Sequence, residues 1–357
     1  MELKSIARKG TMHHGGDIYR NKIIADFSVN LNPAGTPGEV AAAAQKSILR
    51  IKEYPDIEQE AVKTAIAEWE EVDREWIAAG NGASELIMAA VRAVRPGRAL
   101  LFEPAYSGYE YALRAAGCGI RRVFQKEENG FALTEEELRE LDEETDLLFV
   151  CDPANPSGLN IDPGILAALL DRAADLGIRV LLDRSFYLMS DRAEGEDRGH
   201  DRMLQQYDNL YILSSLTKLF ASPGIRMGYI LSRKENIEEI RRQLPEWNLS
   251  VTAEEAVKAG CRVLIGTAFA EETRELIRRE RAFLAELLAE KGLKVFESQS
   301  AFLLFKGPDD LYVRLLQRGI LIRDCSSFPG LGRGYYRIAV KNHADNLLFK
   351  QAREEVL

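Results

Sequence analysis

The chain has 357 residues and a mass of 40.0 kDa, with 46% hydrophobic and 29% charged residues. This composition is that of a globular protein of roughly two domains, and it excludes a disordered chain, a collagen-like repeat and a coiled-coil rod. Because the net charge is -9 and 47 basic residues are interspersed among 56 acidic ones, nucleic-acid binding is not expected and any anion site must be local.

The first predicted elements follow an irregular segment over residues 1–38, which we assign to an N-terminal arm. Residues 39–71 read as helical, with an interruption at Tyr54-Pro55-Asp56. Beyond them, short apolar strands alternate with amphipathic helices. The predicted strands are 99–102, 147–151, 180–183, 210–214 and 227–231, and the predicted helices are 84–94, 105–116, 162–176 and 199–206. This alternation predicts an α/β layered domain with a mostly parallel sheet.

The pattern of alternating strands and helices ends near Pro245-Glu246-Trp247, where we place a domain boundary. A long helix near 267–290 is followed by strand-like segments, a short helix, a strand and a final helix. Those segments are 293–297 and 301–306, the short helix is 309–318, and the strand is 335–340. The sequence therefore predicts a large domain over 39–246 and a smaller α+β domain over 247–357.

The segment with the most candidate catalytic and anion-binding residues directly follows the predicted strand 210–214. It places Ser215, Thr217 and Lys218 within four residues, and Arg226 lies eight residues further on. Two hydroxyls and a guanidinium on one loop suit a phosphate, and a lysine beside other cations suits reaction with an aldehyde. These groups together describe an anchor for pyridoxal phosphate (PLP). A surface loop with an ordinary lysine fits the spacing equally well.

Three further segments are weak signals when each is taken alone. Asp183 ends an apolar strand, where a carboxylate could keep a pyridine nitrogen protonated or could merely cap a helix. Asn155 lies in an Asn-Pro turn just after strand 147–151, and that turn could aim an amide at a ligand. Gly80-Asn81-Gly82-Ala83-Ser84 opens a helix, whose free N–H groups could bind phosphate.

In order and spacing, these four segments resemble the fold-type I PLP enzymes of the class I and II aminotransferase family, over essentially the whole chain. The resemblance implies the aspartate aminotransferase-like fold, with an α/β/α large domain, and a homodimer with PLP as cofactor. It implies that Lys218 bonds the cofactor aldehyde and that Asp183 pairs with the ring nitrogen. The other cofactor residues implied are Ala83, Ser84, Tyr106, Asn155, Ser215, Thr217, Arg226 and, reaching the neighbouring subunit's cofactor, Tyr54.

Within that family, three segments resemble the threonine-phosphate decarboxylases, with the histidinol-phosphate aminotransferases next. They are His14-Gly15-Gly16 with 26–33, the segment 215–229, and the segment 320–340. The implied reaction is decarboxylation of O-phospho-L-threonine or O-phospho-L-serine to an amino-alcohol phosphate for cobalamin biosynthesis. The implied substrate residues are His14, Gly15, Asn32, Asn155, Arg323 and Arg337. An aminotransferase of the histidinol-phosphate or aromatic type would use the same residues and is the alternative.

Two residues depart from the family pattern. Arg184 follows Asp183 where relatives usually have glutamate, and strand alternation should point it away from the ring. Asp17 stands in the arm where asparagine is common, and it would repel a nearby phosphate. A non-catalytic protein of the same fold should have lost Lys218 or the phosphate residues, and all of these are present.

The remaining expectations concern location and metals. The four cysteines form no C-x-x-C pair, so neither a zinc site nor a disulfide framework is expected and a reducing cytoplasm suits them. The first 30 residues hold no apolar signal core, and no apolar run is long enough to cross a membrane.

Overall fold

The computed structural model describes residues 15–193 and 199–357. The chain begins with a short strand and two helices: β1 (Ala25–Asp26), α1 (Gly38–Ser47) and α2 (Glu60–Glu70). The strands of the central sheet follow: β2 (Ile77–Gly80), β3 (Arg98–Glu103), β4 (Gly119–Phe124), β5 (Leu147–Cys151), β6 (Arg179–Asp183), β7 (Leu210–Ser214) and β8 (Gly228–Leu231). Each of the five strands predicted from the sequence is confirmed to within one residue at either end.

The central sheet runs in the order β2-β8-β7-β6-β5-β3-β4. Strands β3 to β7 are parallel, and β8 is antiparallel to both of its neighbours, so the prediction of a mostly parallel sheet is confirmed. Strand β7 is buried throughout, and β5 and β6 nearly so, because helices cover both faces. The carboxyl ends of these three strands therefore meet at one edge, where Asn155, Asp183 and Lys218 follow.

The helices of this part connect successive strands. They are α3 (Ala83–Val94), α4 (Ser107–Ala115), α5 (Glu135–Leu138), α6 (Pro163–Asp175), α7 (His200–Gln206), α8 (Leu216–Leu219) and α9 (Lys234–Arg241). Local sequence sets their ends. Helix α6, for example, starts where the Asp162 carboxylate accepts the N–H groups of Gly164 and Ile165, and it ends before Gly177, which has a φ of +70°.

The rest of the chain forms a smaller α+β unit. Its elements are α10 (Val251–Gly266), α11 (Phe269–Glu290), β9 (Lys294–Val295), β10 (Phe302–Lys306), α12 (Leu311–Gln317), β11 (Ile320–Leu321), β12 (Arg323–Asp324), β13 (Tyr335–Ala339) and α13 (His343–Val356). The antiparallel order β12-β13-β10-β9 places Arg323 and Arg337 on neighbouring strands. Strand β1 pairs with β11, so the arm contributes to this unit.

The packing of helix α10 bears on the predicted domain boundary between residues 246 and 247. Its buried residues, among them Ala253, Ala256 and Val257, share one core with Val62 and Ile66 of α2 and with the central sheet. The boundary stays a prediction, but this packing favours a later one, after α10. Among the described helices, we find none long and apolar enough to span a membrane.

Candidate active site

A cavity of about 270 Å³ opens at the carboxyl edge of β5, β6 and β7. The structure brings most of the predicted site residues together around it. Those that line it are Gly15, Ala83, Ser84, Tyr106, Asn155, Asp183, Ser215, Thr217, Lys218, Arg226, Arg323 and Arg337. The large sheet thus supplies the predicted cofactor residues, and the small sheet supplies both predicted substrate arginines.

Lys218 enters this cavity from α8, which starts directly after β7. Burial and the nearby charges of Arg337 and Arg226 together lower the pKa of its amine to about 8, and the charge of Asp183 opposes them. A fraction of the amines is therefore uncharged near neutral pH. An uncharged amine is the form that attacks an aldehyde, as the predicted role of Lys218 requires.

Asp183 lies at the end of β6 and is buried in the cavity wall. Burial raises the pKa of this carboxyl, and hydrogen bonds from Ser185 and Tyr109 oppose the increase. The Ser185 N–H donates to Oδ1 over 2.9 Å, and the Tyr109 hydroxyl donates to Oδ2 over 2.6 Å. Each carboxylate oxygen thus keeps lone-pair capacity for one more donor, such as a protonated ring nitrogen.

The start of α3 and the Arg226 side chain form a cradle suited to a phosphate. Gly82 caps α3 with a φ of +77°, and a Cβ on Gly82 would lie only 2.4 Å from Nη2 of Arg226. The guanidinium therefore occupies space beside the helix N-terminus that a side chain at position 82 would fill. Ala83 and Ser84 follow in the first turn, whose free N–H groups favour an anion. These residues fit the phosphate group of PLP.

Thr217 also lines the cavity, but its hydroxyl has other partners. It donates to the Met227 carbonyl over 2.9 Å and accepts from the Met227 N–H over 3.1 Å. These bonds tie the loop that carries Lys218 to the segment that carries Arg226. Ser215 makes no such cap bond to α8, so phosphate binding by Ser215 and Thr217 stays a prediction, with Ser215 the freer of the two.

The substrate side of the cavity is built around two buried arginines. Arg337 donates to Asn155 Oδ1 and, over 3.1 Å, to the Ser28 carbonyl. Arg323 donates to the Ser327 hydroxyl over 3.0 Å, and its guanidinium lies 5.3 Å from the ring centre of Phe328. Within residues 15–193 and 199–357, neither arginine has a carboxylate within ion-pair distance. Two buried guanidiniums without carboxylate partners are a strong anion site.

Asn32 does not reach the cavity, contrary to its predicted substrate role. Its Nδ2 donates to the Leu219 carbonyl over 2.8 Å and to Thr273 Oγ1 over 2.9 Å, and its Oδ1 accepts the Ala34 N–H. Its amide is therefore saturated within the protein, and it supports the segment that carries Lys218. Asn30, two residues earlier, lines the cavity instead; it is buried, and its Oδ1 has no hydrogen-bond partner among the residues that the structure describes.

Two predicted residues of the arm have different outcomes. His14 lies outside the described residues, so its substrate role stays a prediction. Gly15 lines the cavity, and a Cβ at this position would lie 2.4 Å from the Ser28 carbonyl oxygen. The neighbouring Gly16 N–H donates to the Ser28 hydroxyl over 2.7 Å. Gly15 and Gly16 thus pack against Ser28 within the arm, and the Ser28 carbonyl contacts Arg337.

The two residues that depart from the family pattern lie outside the cavity lining. Arg184 packs over the Tyr187 ring at 4.3 Å from its centre, and its Nη2 lies 4.0 Å from Asp152 Oδ2. Asp17 pairs with Arg20 over 2.9 Å in an exposed position. Tyr54 also lies outside the cavity lining of its own chain: its ring packs against Trp247 in a tilted arrangement, and it is 78% exposed.

Comparison with known proteins is consistent with this geometry. The family model for class I and II aminotransferases matches residues 22–350. A threonine-phosphate decarboxylase from Salmonella typhimurium is 33% identical, over 96% of each chain. A histidinol-phosphate aminotransferase structure from Clostridium acetobutylicum aligns with a TM-score of 0.83 and 27% identity, and an L-threonine-O-3-phosphate decarboxylase structure from Porphyromonas gingivalis with 0.80 and 26%. Each alignment covers 92% of this chain and 98% of the solved one.

Proposed function

This chain belongs to the class I and II aminotransferase family, and we propose that it decarboxylates O-phospho-L-threonine or its close analogue O-phospho-L-serine. Its fold is the aspartate aminotransferase-like fold, and its cofactor is PLP. The product would be an amino-alcohol phosphate. We propose a role for that product in cobalamin biosynthesis on the resemblance to the threonine-phosphate decarboxylases.

The observation that carries this proposal is the pair of buried arginines facing Lys218. Arg226, at the α3 cradle, is placed for the cofactor phosphate, which leaves Arg323 and Arg337 for the substrate. An amino acid phosphorylated on its side chain carries two anionic groups, a carboxylate and a phosphate. Each can accept a bidentate pair of hydrogen bonds from one guanidinium.

The positions of the arginines suggest how they divide these groups. The charge of Arg337 acts on the Lys218 amine, and Arg337 also contacts Asn155, so it is placed beside the reacting carbon and suits the carboxylate. Arg323 contacts Ser327 and Phe328 instead, and we assign it to the phosphate. Asn30 adds an unpartnered amide oxygen that could accept from a substrate N–H or O–H donor.

The cofactor, when bound, supplies an electron sink for negative charge at the substrate α-carbon. Asp183 is placed to hold the ring nitrogen in its protonated form. Lys218, with a pKa near 8, can both accept and return a proton at neutral pH, and it is placed to protonate the α-carbon after the carboxylate has left. The arginines would favour decarboxylation by holding the substrate so that its bond to the carboxylate is the one that breaks.

The aminotransferase alternative uses the same residues and is supported by the similarity to the histidinol-phosphate aminotransferase structure. In that reaction Lys218 would move the α-hydrogen instead, and a keto acid would be required to complete the cycle. Histidinol phosphate has no carboxylate, so it would leave one of the two arginines without an anion in that half of the cycle. The decarboxylase proposal has a partner for both arginines in a single substrate.

The proposal is tested by incubating the PLP-loaded protein with O-phospho-L-threonine in the absence of any keto acid. We expect repeated turnovers that release CO2 and aminopropanol phosphate in equal amounts. Arg323→Met tests the substrate role of this arginine. It should lower kcat/KM for the phosphorylated substrate by about 10- to 100-fold, because one hydrogen-bonded contact to a charged group is lost. The absorbance of the bound cofactor should not change. Release of CO2 only with 2-oxoglutarate present, or no release from either O-phospho-L-threonine or O-phospho-L-serine, would reject the proposal.

A further inference from the structure

Tyr109 is a buried residue of the site that the predicted roles do not include. It lies in the first turn of α4, three residues after Tyr106, and it is 1% exposed. Its ring stacks on Phe149, with ring centres 4.7 Å apart, and meets the Tyr106 ring edge-on at 5.4 Å. The ring is therefore held on two sides before any ligand binds.

The hydroxyl of this fixed ring lies beside the Asp183 carboxylate and the Cys151 thiol. Its Oη lies 2.6 Å from Asp183 Oδ2, across 74 residues of sequence, and it donates to the carboxylate. The Ser185 N–H occupies the other oxygen over 2.9 Å. Two donors from different elements, α4 and the loop after β6, thus fix the carboxylate plane. Asp183 cannot rotate about its side chain without breaking one of these bonds.

We infer that Tyr109 is a positioning residue for the cofactor: its hydroxyl holds Asp183 ionised and oriented toward the ring nitrogen of PLP. The physical reason is that a buried carboxylate without donors favours its neutral form, and a neutral Asp183 cannot pair with a protonated ring nitrogen. Burial does raise the pKa of Asp183, and the bond from Tyr109 opposes that increase. The bond from Tyr109 is charge-assisted and short, so its loss should be measurable.

This inference rests on PLP being the cofactor and is independent of the bond that the enzyme breaks. Either decarboxylation or transamination needs the same ring nitrogen contact. Failure of the CO2 experiment would therefore leave it standing. Conversely, an unchanged cofactor contact in the Tyr109 variants would leave the decarboxylase proposal untouched.

The test measures how strongly the full-length protein, stripped of cofactor, prefers PLP over a carbocyclic analogue in which C–H replaces the ring nitrogen. The two ligands share the aldehyde and the phosphate, so their affinity ratio reports the Asp183 contact alone. In Tyr109→Phe we expect the ratio to fall by about tenfold, as for the loss of one hydrogen bond to a charged group. Asp183→Asn should abolish the preference and sets the lower limit.

Tyr229→Phe is the matched control, because Tyr229 is also fully buried and also donates its hydroxyl to a carboxylate, that of Glu70. It should change unfolding temperature without changing the ligand ratio. Tyr109→His retains a ring and an N–H donor, so it should restore part of the preference and provides a second variant if Tyr109→Phe does not fold. A wild-type ratio in both Tyr109 variants, or an equal loss of affinity for both ligands, would overturn the inference.

Discussion

Lys218 illustrates how the protein environment changes the reactivity of a single side chain. Its amine has an ordinary pKa of 10.5, and burial followed by the charges of Arg337 and Arg226 brings the pKa to about 8. All of these causes act in the same direction because each penalises the charged form. The opposing attraction of Asp183 is smaller. The consequence is a nucleophilic amine at a pH where exposed lysines are protonated.

From this shift we predict the pH dependence of cofactor capture. Since the uncharged amine attacks the aldehyde, the rate at which cofactor-free protein binds PLP should rise with pH and reach half of its increase near pH 8. Stopped-flow absorbance across about pH 6 to 11 measures this rate, because that range includes both the lowered and the ordinary pKa of a lysine. In Arg337→Met, which removes one neighbouring positive charge, the midpoint should move upward. A wild-type midpoint close to 10.5 would contradict the account.

The site residues show which roles the sequence can predict. Lys218, Asp183, Asn155 and Arg226 directly follow predicted strands or stand at short fixed spacing from them, so they could be placed at the sheet edge in advance. The sequence singled out Asn32 and not Asn30, because the contacts that occupy the Asn32 amide are with residues 219 and 273, far along the chain. Tyr109 shows the same limit: only its three-residue spacing from Tyr106 hinted at a shared face, and its partner is 74 residues away.

At the scale of elements, the N-terminus of α3 is the part most dependent on one residue. We predict that Gly82→Ala weakens PLP binding by at least about tenfold, because the added Cβ strains a positive φ and displaces the Arg226 guanidinium. Gly177→Ala is the matched control, since it also has a positive φ, of +70°, but nothing lies within 4 Å of its added Cβ. That control should lower the unfolding temperature alone. Equal PLP affinity in both variants, measured by fluorescence titration, would contradict this view of the cradle.

The elements also show why some strands were predicted and others were not. β5 and β7 are short, apolar and buried, so their bounds were correct to the residue. β4 was missed because it is an edge strand with Arg121 and Arg122 and only partial burial, and it therefore lacks a continuous apolar run. β2 is only four residues long and contains two alanines and a glycine, so its strand character depends on pairing with β8.

At the scale of the whole molecule, one exposed apolar surface is consistent with the predicted homodimer. We call it the Tyr54 surface, and its members are Ile48, Leu49, Ile51, Tyr54 and Ile57. Leu49 is 81% exposed and Tyr54 78%, which is unusual for large apolar side chains that follow one another so closely. We propose that a second copy of the chain covers this surface and that Tyr54 reaches the partner subunit's cofactor.

This proposal predicts an effect of Tyr54 on a site that Tyr54 does not touch in its own chain. Tyr54→Phe should weaken PLP binding by about tenfold, the effect of losing one hydrogen bond to a charged group, and the native protein should sediment at twice 40.0 kDa. Tyr111→Phe, which removes a hydroxyl from a residue of α4 that is 63% exposed, should change neither property. A PLP-loaded monomer with full activity, or wild-type PLP affinity in Tyr54→Phe, would exclude the shared site.

The most direct test of the whole account identifies the bond that is broken at the α-carbon. The PLP-loaded protein is incubated with O-phospho-L-threonine in D2O without a keto acid, and product and recovered substrate are examined by mass spectrometry and proton NMR. We predict aminopropanol phosphate that retains its original α-hydrogen and gains a single carbon-bound deuterium, together with unlabelled recovered substrate. Recovered substrate that has exchanged its α-hydrogen for deuterium, with no loss of the carboxylate, would show that Lys218 works on the hydrogen and would contradict the decarboxylase account.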